Sequence, residues 1–378
     1  MSRLLSLVAI LLIAACQQLP EKPPAKPPGP ERAQYVQASF AALPGWNTTR
    51  LEPSLRAFLN GCARAPAVLL AACGTATTIA VGDEDGARRF FETAFIPYAI
   101  VSSETGDTGT ITGYYEPLLH GSRTRDAANR FPIFGVPDDL IVVDLGNVAP
   151  ETRNLRLRGR VDGRRLVPYY TRAEIDARGE TFKAPIIGWT SDPIELFFLQ
   201  IQGSGQLELE NGDRVRLAYA DQNGHPYRSL GRYLVDRGEL TLDQASMQGI
   251  KNWAAANPGK LQEALNVNAS YVFFRESTDP RGVIGALGVP LVPQYSLAVD
   301  RRFIPLGTPV FLATTFPLSD QPLVRLAAAH DTGGAIRGAV RADFFWGTGP
   351  DAAAQAGRMR QSGKMWLLWP RGEVPPAQ

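Results

Sequence analysis

The sequence is poor in metal ligands. Three cysteines and three histidines, widely scattered among 378 residues, give none of the close spacings that hold zinc. It also lacks an excess of charge, with 39 basic residues against 37 acidic ones. Nucleic-acid binders rest on a concentrated surplus of Lys and Arg. No metal, no cofactor and no nucleic-acid partner are therefore expected. The apolar run from Leu4 to Ala15 is twelve residues, short of the about 20 that cross a bilayer as a helix.

What is present begins with that run. Arg3 before it and small residues at its end, before the cut, read as a signal peptide over residues 1–15. It ends in "IAAC", which resembles a bacterial lipobox, and the resemblance implies lipidation of Cys16. Several acyl chains would make such an anchor stable. The alternative is an ordinary secretory cleavage beside an incidental Cys. Residues 16–33 follow as a Pro-rich tether, "QQLPEKPPAKPPGPER", which favours polyproline II and roughly 50 Å of reach at about 3.1 Å per residue.

Thirty-six Gly and thirty Pro favour turns and strands over long helices. "ASFAALPGW", "SLRAFLNGCARA" and "DGARRFFETAFIPYAI" read as helical, and "GTITGYYEPLLHGS" as a strand. From about Leu118 the texture changes to short alternating strands: "LIVVDL", "LRLRGRV", "QLELE" and "RVRLAYA". Helix starts interrupt them at Thr171/Glu174, Ser229 and Thr241/Gln244. Strands return after Tyr271 with "YVFFRE", "YSLAVD", "PVFLAT" and "KMWLLWP", and Pro350 opens a helix. The expected architecture is all-β with peripheral helices, in two bodies.

Cys62 and Cys73 form a disulfide or are small buried residues. One straight helix would hold them about 16 Å apart, beyond bonding range, unless Pro66 breaks it. The Arg-rich "LRLRGRVDGRR" is either a solvated face or a surface for acidic peptides.

Three catalytic patterns fail on inspection. "DTGG" at Asp331–Gly334 occurs once, whereas an aspartic protease needs two such loops. Gly347, Gly349 and Ala352 lack the βαβ context of a dinucleotide site. Ser204, Asp221 and His225 stand in hydrolase order, but Gln202 breaks the nucleophile elbow.

Other segments, taken together, do carry a reading. "GYYEP" (113–117), "QIQGSG" (200–205), "YADQNGHPYRSLG" (219–231), "YVFFRE" (271–276), "GVPLVPQYSLAVDRRFIPLGTPVFL" (288–312) and "HDTGGAIRGAVRADFFWG" (330–347) resemble the membrane-bound lytic murein transglycosylase A family. The resemblance implies a double-psi β-barrel with three Asp residues, matching Asp300, Asp331 and Asp343. The barrel would take residues 34–117 and 270–370, with a second barrel inserted at 118–269 and a groove between them. It further implies cleavage of the β-1,4 bond between N-acetylmuramic acid and N-acetylglucosamine in peptidoglycan, leaving a 1,6-anhydro end. A monomeric catalytic unit is expected, held by its lipid on the periplasmic side of a Gram-negative outer membrane. Cell-wall synthesis proteins are compatible partners. A glycan-binding barrel that does not cut is the alternative.

Closing an anhydro ring needs no water, so one carboxyl serves as acid and then base, where hydrolysis takes two. Asp343 matches the catalytic acid, and burial beside Phe344, Phe345 and Trp346 would keep it protonated. Asp331 is the second catalytic candidate, as charge stabiliser or as loop anchor. Thr112, Gly113, Tyr114, Gln202, Gly203, Ser204 and Asp300 are the expected substrate-binding residues. Tyr115 is a further groove candidate, with one of the two tyrosines expected to face the core.

Overall fold

The computed structural model describes residues 31–376, apart from 153, 154 and 156. The signal segment, Cys16 and nearly all of the tether lie outside these. The chain enters with β1 (Ala33–Gln37), β2 (Phe95–Ser102) and β3 (Gly109–Glu116). Three helices, α1 (Glu52–Cys62), α2 (Leu70–Ala76) and α3 (Glu84–Ala94), fill the gap before β2. α3 stops where "FIPYAI" begins, because Phe95 turns extended and pairs with Pro370. That stretch is strand, not helix. "ASFAALPGW" supplies two short 3-10 turns.

At Pro117 the chain leaves the first sheet. Pro has no N–H for a ladder, so the expected single strand is two: β3, then β4 (Leu118–Ser122) in another sheet. There follow β5 (Phe131–Phe134), β6 (Ile141–Val143), β7 (Leu157–Asp162), β8 (Arg165–Pro168), β9 (Ile186–Thr190), β10 (Ser204–Leu209), β11 (Arg214–Gln222) and β12 (Val272–Glu276). The second sheet runs β12-β11-β10-β4-β9-β5, and β6-β7-β8 make a small third sheet. The second sheet curls until its edge strands approach: a Cβ built on Gly135, just past β5, would lie 3.6 Å from the Phe274 carbonyl of β12.

Helices α4 (Arg172–Arg178), α5 (Pro193–Gln202), α6 (Leu230–Asp236), α7 (Met247–Ala256) and α8 (Pro258–Asn266) pack on this body. Thr171 and Glu174 form the capping box expected of them. Thr241 and Gln244 make half of one, with the Thr241 N–H on the Gln244 carboxamide at 3.0 Å, but no helix follows. The next helix starts at Ser246, whose hydroxyl accepts from Gly249 N. The Arg-rich segment divides: residues 161–165, with Arg164 and Arg165, are exposed, while two of its arginines are engaged. Arg158 pairs with Asp221 at 2.9 Å, and Arg160 lies over the Tyr170 ring at 4.6 Å.

The chain then returns with β13 (Ser296–Val299), β14 (Pro309–Thr315), β15 (Pro322–Asp331), β16 (Ala342–Thr348), α9 (Gly349–Ala356) and β17 (Arg360–Pro370). These join the opening strands in the order β1-β2-β17-β14-β15-β13-β16-β3. β17 also pairs with β3, Arg360 opposite Thr112, which closes six strands into a barrel. Its interior is apolar, with Leu297, Val299, Val310, Leu312, Phe344 and Leu367 fully buried. The helices α1–α3 cover the outside, with Phe58, Phe90 and Phe91 packed on Phe95 of β2. Cys62 and Cys73 are joined in a disulfide. Pro66, extended between α1 and the turn before α2, breaks the helix that would have kept them apart.

Candidate active site

Three barrel strands set the site. In register, Ala298 of β13 faces Asp331 of β15 on one side and Asp343 of β16 on the other. Beyond Asp343 comes Thr112 of β3, and beyond that Arg360 of β17. The side chain between the two carboxyls is a single methyl group. A bulge on β15 at this level skips His330 in the pairing. Bulges re-aim side chains: Asp331 turns to the row, and His330 packs under α1 beside Gly61 with no exposed surface.

Asp343 Oδ1 accepts from the Thr112 hydroxyl at 2.6 Å. Its other oxygen meets no hydrogen-bond partner among the described residues. Burial raises the Asp343 pKa, against the pull of Arg341 and of Thr112. Asp331 is held differently. Its Oδ1 accepts from the N–H groups of Ala286 and Thr332, both at 2.9 Å, and Oδ2 from the Tyr114 hydroxyl at 3.2 Å. Burial still pushes Asp331 up to about 6, with the Asp343 charge adding to it. Three donors favour the anionic form of Asp331, whereas burial favours the protonated form of Asp343.

The apolar floor comprises Tyr114, Val283, Leu291, Ala298, Ile336 and Phe345. Strand alternation explains the membership. Phe345 lies two residues from Asp343 and shares its face, while Phe344 and Trp346 point into the barrel interior. Of the three aromatics expected to desolvate the acid, Phe345 is the one on its side of the strand. The Tyr114 ring packs on Phe345 with centroids 5.0 Å apart. Burial and the two carboxyls hold its phenol proton well above the ordinary range.

The other expected residues divide. A cavity of about 330 Å³ opens beside Asp331, lined by Gln202, Gly203, Ser204, Tyr219, Arg275 and Gly334 among others. Gln202 ends α5, and its carboxamide oxygen accepts from Tyr115 N at 3.1 Å, tying the inserted body to β3. Gly203 caps that helix at φ 80, a left-handed conformation natural to glycine. Tyr115 faces the barrel interior and Tyr114 the carboxyls, and both are buried. Neither ring is the open sugar platform expected of one of them; Tyr219, 38% exposed on the cavity wall, is better placed.

Gly113 is not on the groove side. A Cβ there would lie 2.6 Å from the Trp346 indole nitrogen and 3.0 Å from Ala356 of α9. The residue is small so that Trp346 and α9 can pack against β3. Asp300 also stands apart. Its carboxylate, 1% exposed, holds Arg302 at 2.6 Å and accepts from Gly338 N at 3.0 Å. Burial pushes its pKa up, but those bonds outweigh it and leave the pKa lowered. It anchors the loops around β13 and β16.

The hydrolase triad does not assemble: Asp221 pairs with Arg158, and His225 Nε2 lies 2.7 Å from the Tyr169 carbonyl. His330 bonds Ser296 at 2.8 Å, and burial lowers its pKa to about 4, so it is neutral. Among the described residues, no group of three or more His, Cys, Asp and Glu is placed to hold a metal. Sequence reasoning missed Arg341, whose Nη2 donates to the Thr112 hydroxyl at 2.8 Å. Its signal was its position two residues before Asp343, on the same strand face.

A closed double-psi barrel with a second body inserted between its strands, and two raised carboxyls flanking one alanine, defines the class. The MltA-specific insert domain matches residues 110–275, and the 3D domain matches residues 295–369. Membrane-bound lytic murein transglycosylase A of Escherichia coli K12 is 35% identical over 267 residues. That match takes in 68% of this chain, and the chain spans 64% of the relative's length. MltA of Neisseria gonorrhoeae superposes with a TM-score of 0.78 at 41% identity, over 92% of this chain and 95% of that one. E. coli MltA with bound chitohexaose superposes at 0.66 with 28% identity, over 87% and 91%. The chain belongs to the membrane-bound lytic murein transglycosylase A family.

Proposed function

We propose that this chain cleaves the β-1,4 bond between N-acetylmuramic acid and N-acetylglucosamine in peptidoglycan, closing a 1,6-anhydro ring on the muramoyl residue. Asp343 gives its proton to the glycosidic oxygen as the bond to C1 breaks. The carboxylate so formed takes the proton of the muramoyl C6 hydroxyl as that oxygen bonds to C1. No water enters, so no second carboxyl is needed to activate one. Asp331, ionised beside the reacting centre, stabilises the positive charge that develops at C1. Gln202, Gly203, Ser204 and Tyr219 line the groove that receives the glycan. The inserted body runs from 118 to 276, past the expected boundary at 269, because β12 pairs with β11 in the second sheet and not with the barrel strands; the barrel body takes 34–117 and the chain after β12. Lipid on Cys16 holds the enzyme at the outer membrane on its periplasmic side, and the tether gives it reach toward the wall. No helix among the described residues is long and apolar enough to cross a membrane.

The observation that supports this most is the state of Asp343: raised by burial, with one oxygen engaged by Thr112 and the other free of protein partners. The E. coli relative solved with chitohexaose supports a β-1,4 glycan as ligand. Digestion of purified sacculi followed by mass spectrometry of the soluble fragments tests the reading. Anhydro-muropeptides are expected. Hydrated reducing ends would mean a hydrolase, and no release at all would mean a glycan-binding barrel.

A further inference from the structure

The Thr112 hydroxyl has one proton and stands between two groups. Arg341 Nη2 donates to Oγ1 at 2.8 Å, and Oγ1 lies 2.6 Å from Asp343 Oδ1. We propose that Arg341 is a positioning residue which, through the Thr112 hydroxyl, fixes the acidic proton of Asp343 on Oδ2, the oxygen with no hydrogen-bond partner among the described residues. The proposal rests on the reading of Asp343 as general acid.

A guanidinium can only donate, so the bond from Arg341 occupies a lone pair of the hydroxyl. The hydroxyl proton must then point elsewhere, and Asp343 Oδ1 is its acceptor among the described residues. A carboxylic proton on Oδ1 would turn that hydroxyl proton away from its partner. It would also aim a second donor at an oxygen that already receives one. The nearby cation polarises the hydroxyl, making it a better donor and a poorer acceptor still. Oδ1 is therefore the accepting oxygen, and the acidic proton belongs on Oδ2.

Arg341 is itself held in place. Its Nη1 donates to the carbonyls of Ala342 and Thr110. Other groups face the acid from each packed element: Asp331 from β15, Thr112 and Tyr114 from β3. Arg360 of β17 lies near enough to repel Arg341. The Arg341 cation works against keeping Asp343 protonated. A residue whose purpose was to raise the acid's pKa would not be an arginine. What Arg341 supplies is direction: it determines which of two chemically equal oxygens carries the proton.

The test measures kcat and KM for anhydro-muropeptide release across pH in Arg341→Gln, Thr112→Val, Thr112→Ser and the Arg341→Gln/Thr112→Val double variant. Each is first checked by thermal melting. Arg341→Gln should lower kcat about tenfold or more, with KM within about twofold. The alkaline limb of its kcat profile should move to higher pH, because a cation that depresses the Asp343 pKa is gone. Thr112→Ser should keep most of kcat. Thr112→Val should lose about as much as Arg341→Gln, and the double variant no more than the worse single one. Multiplying losses in the double variant, or an unmoved alkaline limb in Arg341→Gln, would overturn the proposal. If Arg341→Gln does not fold, the Thr112 pair decides: equal kcat in Val and Ser overturns it, and loss confined to Val supports it. An active Asp343→Asn enzyme would instead remove the general-acid reading itself.

Discussion

Asp331 and Asp343 face the same residue, Ala298, from opposite sides. Two inter-strand spacings put their Cα atoms about 10 Å apart, near enough for the side chains to share one groove wall. Their hydrogen bonds divide the labour. Asp331 collects three donors and Asp343 one.

Asp343→Asn should remove both proton transfers while keeping shape and glycan contacts. Release of anhydro-muropeptides from sacculi is expected to fall by about 10²–10⁴-fold, with binding to sacculi retained. Asp331→Asn should cost less, about tenfold, because it removes a stabilising charge and not a proton donor. A folded Asp343→Asn enzyme retaining more than about a tenth of the rate would be incompatible with a single acid.

The raised carboxyl pKa values also predict how stability changes with pH. Asp331 titrates at about 6 in the folded chain, against an ordinary 3.8. The folded state thus holds the proton more tightly than the unfolded state. The stability this contributes is fully present below the ordinary pKa and is lost as pH rises through about 6. Asn does not titrate. Thermal melts of wild type and Asp331→Asn should therefore shift in the variant's favour between pH 4 and 7, by comparison with the gap at pH 4. A gap that stays constant would show that burial does not disfavour the Asp331 charge.

Ala298→Leu would place an isobutyl group between the two carboxyls. Overpacking at such a site costs about 1–3 kcal/mol of stability. The activity loss should exceed what that explains, since the added side chain fills the space through which both acids reach the groove. Urea melts and product release, measured on the same preparation, separate the two effects.

Cys16→Ala should free the protein from membranes or stop its maturation. Fractionation and the N-terminal mass check this. Unchanged retention with an unchanged mass would exclude the lipid anchor.

Much of the site was legible because its chemistry is local. "HDTGG" and "RADFF" carry both carboxyls, and "TGYYEP" carries Thr112 and Tyr114. The rest depends on cross-strand register, which neighbours in sequence do not reveal. Ala298 matters only because β15 and β16 flank it, and the bulge at His330 sets which β15 residue it meets. Arg341 resembled any charge before a strand until its guanidinium was seen on Thr112. Asp300 looked like the third member of a set, and its pairing with Arg302 shows a different task. The helix α5 escaped notice because "IELFFLQI" is apolar on nearly every side, being buried between sheet and helices, and so lacks a helical stripe.

One oxygen of Asp343 has no hydrogen-bond partner among the described residues, and this bears on where protons come from. On the proposed reaction, that atom yields a proton to the departing sugar and regains one from the C6 hydroxyl before the product leaves. The catalyst finishes each cycle in the protonation state in which it began, with no exchange with bulk solvent required. Buffer species should therefore not enter the rate law, and an enzyme held at a wall of uncertain acidity would depend on its surroundings for the standing state of Asp343 alone, not for a fresh proton at every cut.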